Sequence, residues 1–208
     1  MECIRLFLAD IRQLKQWEQA ALSLLTPERR AEAERIKPEQ DRLHCIAAGL
    51  LLRHVLGVTS DKDLRCNEFG KRELVGDGPC FNLSHGGNYA VLAVCPAPVG
   101  VDIEPVGERI PITIPRRYLQ PDELEWLEAE PAAERFAWLW TRLESALKAD
   151  GRGFGLEKRT FSVLESGQPW YLETLRWDGH MISCAAGETF DVELNQVPAE
   201  DLLAERTP

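Results

Sequence analysis

The segment Gly100-Val101-Asp102-Ile103-Glu104 constrains this chain more than any other. Apolar and acidic residues alternate there. In an extended strand, residues i and i+2 share a face. The pattern predicts a strand that turns Val101 and Ile103 into a core and Asp102 and Glu104 the other way. Alternation alone is satisfied by a half-buried strand with a polar outer face. The same two carboxylates, as hard oxygen donors on one face, also suit Mg²⁺ or Mn²⁺. Magnesium takes one or two protein carboxylates and completes its shell with water and substrate phosphate.

Forty residues on, Trp140-Thr141-Arg142-Leu143-Glu144-Ser145-Ala146-Leu147-Lys148 lies in a strongly helical region. Trp140, Glu144 and Lys148 fall at i, i+4 and i+8, on one helix face. Glu144 and Lys148 could form an ordinary surface ion pair. Beside Asp102 and Glu104, Glu144 could equally be a third acidic group at a metal-phosphate site, with Lys148 meeting a phosphate or a migrating proton.

The 208 residues lie between one large domain and two small ones, and Pro96-Ala97-Pro98 reads as the joint between halves 1–98 and 99–208. Net charge is −10. The first half is neutral, with 13 basic and 13 acidic residues, and the second carries the excess, with 11 and 21. That balance argues against nucleic-acid binding, which wants a basic surface. A mildly positive stretch from Arg29 to Arg72 could hold a small anion. Six cysteines show no zinc-like spacing, no signal peptide opens the chain, and no run approaches the ~18–20 apolar residues of a membrane span. A cytoplasmic monomer with reduced thiols is expected.

Periodicity predicts a strand at 3–9, helical spacing from Leu14 to Leu25, a short helix from Pro27 to about Arg35, and a long helix from Asp41 to Leu56 stopped by Gly57. Residues 58–79 read as loop. Strands are expected at 80–83 and 89–95, with Ser84-His85-Gly86-Gly87-Asn88 a turn able to bring backbone N–H groups to a phosphate. In the second half, helices are expected at about 112–118, 121–129 and 131–150. Short strands follow at 159–164, 170–177, 180–186 and 190–194.

The Gly100–Glu104 and Trp140–Lys148 stretches resemble signatures of the 4'-phosphopantetheinyl transferases, of the type that activates peptide and polyketide synthetase carrier domains. Phe81-Asn82-Leu83-Ser84-His85 resembles that family's Asn-(Ile/Leu)-Ser-His element, and Phe69-Gly70-Lys71 its aromatic-Gly-Lys element. One position departs, since the family usually has Lys where this chain has Leu143. The resemblance implies an α+β fold in which two similar halves form a pseudo-twofold pair with the active site at their interface. It implies transfer of phosphopantetheine from coenzyme A to a serine of an apo acyl or peptidyl carrier protein, releasing 3',5'-ADP. Asp102, Glu104 and Glu144 would hold Mg²⁺ or Mn²⁺, with Glu144 the base and Lys148 at the leaving oxygen. Lys71, Ser84, His85 and Lys148 would contact coenzyme A, with Arg42 and His44 among the residues available to its 3'-phosphate. A metal-dependent phosphohydrolase and a non-catalytic coenzyme A or carrier-binding module are the alternatives. Carrier docking is expected on an apolar patch of Ile112, Ile114, Tyr118 and Leu119 flanked by Arg116, Arg117 and Arg152.

Overall fold

A computed structural model describes residues 2–107, 118–153 and 159–204. Strand β1 (Glu2–Asp10) leads into short helices α1 (Ile11–Leu14), α2 (Glu18–Ser23) and α3 (Pro27–Arg35), then the long α4 (Glu39–Leu56). Proline at the first helical position opens α3, and Pro38 sits at the N-cap of α4, where its missing N–H costs nothing. Gly57 ends α4, its N–H returning to the Arg53 carbonyl. A small hairpin, β2 (Leu64–Cys66) and β3 (Arg72–Leu74), interrupts the stretch expected to be loop. β4 (Cys80–Gly86), β5 (Tyr89–Cys95) and β6 (Val99–Pro105) follow, then α5 (Pro121–Ala129), α6 (Ala133–Asp150), β7 (Tyr171–Trp177), β8 (His180–Ala186), β9 (Phe190–Gln196) and α7 (Ala199–Leu203). The helix expected at 112–118 lies almost wholly outside the described residues. No strand forms at 159–164. Arg159 there turns inward to a buried ion pair with Glu123 on α5, and Val163 N–H donates to the same carboxylate.

The fold is α+β. One sheet has the order β4-β5-β1-β9, with β9 parallel to β1, and the other has β6-β8-β7. Strand period explains the layers. On β5, Ala90, Leu92 and Val94 face α4, while Val91, Ala93 and Cys95 face the second sheet. Burial on both faces accounts for its nearly continuous apolar run. Ile4, Leu6 and Leu8 of β1 meet Val99, Val101, Ile103, Ile182 and Cys184 in a dry layer between the sheets. Each such aliphatic side chain contributes about 1.5–3 kcal/mol on leaving water. α6 covers the outer face of the second sheet through Leu139, Leu143 and Ala146.

Candidate active site

Val101 and Ile103 are fully buried between the sheets, so the alternate residues of β6 face α6. At Gly100 the strand and helix nearly touch. A β-carbon there would lie 1.9 Å from the Ser145 carbonyl oxygen and 2.4 Å from the Ala149 nitrogen. That approach brings Asp102 and the Glu144–Lys148 face of α6 within reach of each other. Lys148 Nζ donates to Asp102 Oδ1 at 2.5 Å and lies 3.4 Å from Glu144 Oε2. Ser84 on β4 closes a triangle, donating to Asp102 Oδ1 at 2.7 Å and accepting from Lys148 at 2.9 Å.

The stretch Ser84-His85-Gly86 is not the loop that its glycines and small polar residues suggest. All three residues are laddered to β5, opposite Val91, Ala90 and Tyr89, and only Gly87-Asn88 turns. A phosphate-cradling backbone nest is therefore corrected to a strand whose side chains do the work. Asn82, Ser84 and Gly86 share the face toward β6. His85 points the other way, onto α4, where its ring stacks on His44 at 4.6 Å. His44 Nε2 donates to the Gly87 carbonyl at 3.1 Å, and burial, with the neighbouring His85, lowers the proton affinity of the ring.

Burial and the like charges of Asp102 and Glu144 push the Glu104 carboxyl up to about 7. Burial and Asp102 also raise Glu144. Burial would lower Lys148, but Asp102 and Glu144 outweigh it and the ammonium is held charged. Asp102 Oδ2 is buried without a hydrogen-bond partner. Three mutually repelling carboxylates and an unpartnered oxygen are the donor chemistry of a hard divalent cation. Among the described residues no three His, Cys, Asp or Glu side chains close a cage by themselves.

This crowding has a measurable consequence. The folded state holds a proton on Glu104 that the unfolded chain releases near pH 4.5, so Glu104 destabilises the metal-free protein as pH rises from about 4.5 through about 7. Glu104→Gln is expected to stabilise the metal-free protein at pH 8 by about 1–3 kcal/mol, with no gain at pH 4. Unfolding in urea with EDTA at both pH values checks this, and equal stabilities at pH 8 would refute it.

A cleft of about 500 Å³ opens beside the triangle, lined by Ser84, His85, Lys148, Asn82, His44 and Lys71, and also by Arg29, Arg72 and Phe69. Arg29 and Arg72, the ends of the mildly positive stretch expected to hold a small anion, both line the cleft, and Glu32 pairs with each. Two expected ligand contacts sit differently. Arg42 is not among the residues lining the cleft. Its guanidinium is held by Glu18 at 2.6 Å and by the carbonyls of Ile36 and Lys37. Lys71 lines the cleft, but its ammonium donates to the carbonyls of Val99 at 3.1 Å and Lys148 at 2.6 Å, capping the end of α6.

The profile of the 4'-phosphopantetheinyl transferase superfamily matches residues 98–186, which run from β6 to β8. 4'-Phosphopantetheinyl transferase Sfp of Bacillus subtilis (strain 168) is 30% identical over 217 aligned positions, covering 92% of this chain and 96% of that protein. The chain belongs to the 4'-phosphopantetheinyl transferase superfamily. 4'-Phosphopantetheinyl transferase psf-1 of Bacillus pumilus is 32% identical, over 89% of this chain and 82% of that protein. In this transferase the position where the family usually carries lysine, Leu143, is 1% exposed and packs with Val163 and Leu172. A lysine in that environment would bury its ammonium, so here the position serves the α6–sheet core rather than the cleft. Arg142, its neighbour, is likewise internal, stacked over Trp138 and donating to the Val163 carbonyl.

Proposed function

We propose that this transferase moves the 4'-phosphopantetheine group of coenzyme A onto a serine of an apo acyl or peptidyl carrier protein, releasing 3',5'-ADP. The observation that carries the reading is the buried Ser84–Asp102–Lys148 triangle beside Glu144, next to a cleft lined by Ser84, Lys148, Arg29 and Arg72. The cleft offers the Lys148 ammonium, paired with Asp102 and Glu144, to a pyrophosphate, and the Arg29 and Arg72 guanidinium groups to a further phosphate. The likeness to Sfp and psf-1 supports the transferred group.

Asp102, Glu104 and Glu144 would hold Mg²⁺, or Mn²⁺, which when bound neutralises charge on the pyrophosphate oxygens. Glu144, with its raised proton affinity, is suited to accept the proton of the attacking serine. Lys148 meets the charge that develops on the leaving oxygen, already oriented by Asp102 and Ser84. His85 binds rather than shuttles protons. Its orienting contact is the His44 ring, and among the described residues no carboxylate hydrogen-bonds either imidazole. His85→Ala is expected to raise the KM for coenzyme A about 5–30-fold, with kcat within threefold. Steady-state kinetics decide, and a collapse in kcat at unchanged KM would sink the assignment.

The pseudo-twofold division into halves 1–98 and 99–208, and a cytoplasmic monomer, belong to the same proposal. No described helix is long and apolar enough to cross a membrane. Of the expected carrier-docking residues, Ile112, Ile114, Arg116 and Arg117 lie outside the described residues. Tyr118 and Leu119 pack against the α6 core, and Arg152 is exposed in a bidentate pair with Asp150. The deciding experiment is mass spectrometry of an apo carrier protein incubated with the transferase, coenzyme A and Mg²⁺. Gain of the phosphopantetheine mass supports the proposal. Phosphate release without a carrier would indicate a phosphohydrolase, and binding without either product a non-catalytic module.

A further inference from the structure

β4 and β6 are each the edge strand of a different sheet, and no backbone ladder joins them. They nevertheless run against each other, because one face of β4 bonds to the edge of β6. The Asn82 Oδ1 accepts the Val101 N–H at 2.9 Å. Ser84 donates to Asp102. Gly86 lies so close that a β-carbon would fall 2.3 Å from the Ile103 carbonyl oxygen. Three alternate residues of β4 thus meet three successive residues of β6.

Of these contacts, the Asn82 bond alone fixes a β6 backbone N–H, and that N–H belongs to the residue preceding Asp102. We infer that Asn82 is a positioning residue of the transfer reaction, its side-chain carbonyl standing in for the missing ladder and holding Asp102 against Ser84 and Lys148. The chemistry tolerates little slack here. Lys148 sits 2.5 Å from Asp102, and displacement of a reacting group by about 1 Å can cost on the order of 100-fold in rate. Without the amide oxygen, the Val101 N–H loses its acceptor, and near Asp102 this edge of β6 keeps the Ser84 hydroxyl and the Gly86 contact, with Lys71 holding the Val99 carbonyl at the start of the strand.

The inference rests on the transferase reading, and its test separates the two. Wild-type protein is first assayed with coenzyme A, Mg²⁺ and an apo carrier; absence of transfer there overturns the transferase reading itself. Asn82→Ala is expected to lower kcat about 10–100-fold, with the KM for coenzyme A changed less than threefold. Asn82→Asp keeps an acceptor for Val101 N–H and should retain at least a third of wild-type kcat, while its added charge at the cleft raises the KM for the anionic donor. Asn82→Ser, too short to span the gap, should behave as the alanine variant. Wild-type kcat in the alanine or serine variant overturns the inference. So does a rise in KM alone, which would make Asn82 a binding residue. A folded aspartate variant, checked by its melting transition, that loses kcat tenfold or more also overturns it, and this arm decides by itself if neither truncation folds.

Discussion

Lys148→Ala is expected to cut the rate of phosphopantetheine transfer by about 10²–10³-fold or more, with Asp102→Ala and Glu144→Ala in the same range. A fixed charge aimed where charge develops is usually worth this much in a water-poor site. Lys148 has no substitute in place. Arg29 and Arg72 are paired with Glu32, and the Lys71 ammonium is bound to backbone carbonyls. Removing Lys148 also leaves the Asp102 carboxylate, 2% exposed, with Ser84 as its one hydrogen-bond partner among the described residues and Glu104 and Glu144 as repelling neighbours. The expected signature is loss of kcat in a protein that still shows native circular dichroism. Turnover within fivefold of wild type would remove Lys148 from the mechanism.

Gly100→Ala should be the most damaging single methyl group outside the catalytic set. Its β-carbon would meet two backbone atoms of α6, at 1.9 and 2.4 Å, and backbone cannot rotate out of the way as a side chain can. Either β6 or α6 must shift by more than an ångström against close-packed neighbours. A loss of about 3–5 kcal/mol is expected, which for a protein of this size lowers the melting temperature by about 6–20 °C. Because α6 carries Glu144 and Lys148, whatever folds should also be slow. Gly187→Ala, with nothing within 4 Å of its added carbon, is the control and should melt within about 1–2 °C of wild type. A Gly100→Ala protein that melts with the control would mean that β6 and α6 are not in contact as described.

Local pattern determined much of this molecule. The two-residue period at Val101–Glu104 set which side chains face the core, the four-residue period at Trp140–Lys148 set one helix face, and Pro27, Pro38 and Gly57 set helix ends. The group of Asp102, Glu144 and Lys148 was legible because two stretches with strong periodicity each present a single chemical face. Glu104 joins it through charge repulsion. What only the tertiary structure decided is where one element's side chains find partners on another. Ser84 and His85 looked like turn residues because Gly86 and Gly87 follow. The ladder to β5 outweighs that local preference and sends Ser84 to Asp102 and His85 to His44. Arg42 and Lys71 carried the charge expected of phosphate ligands. Glu18 and the carbonyls at the end of α6 lie nearer to them in the fold, and burial rewards satisfying those carbonyls first. Backbone propensity acts over a few residues and is written in the chain. A hydrogen bond between residues 19 or 64 positions apart, such as those Val101 makes with Asn82 and Lys148 with Ser84, exists only once the two sheets have packed.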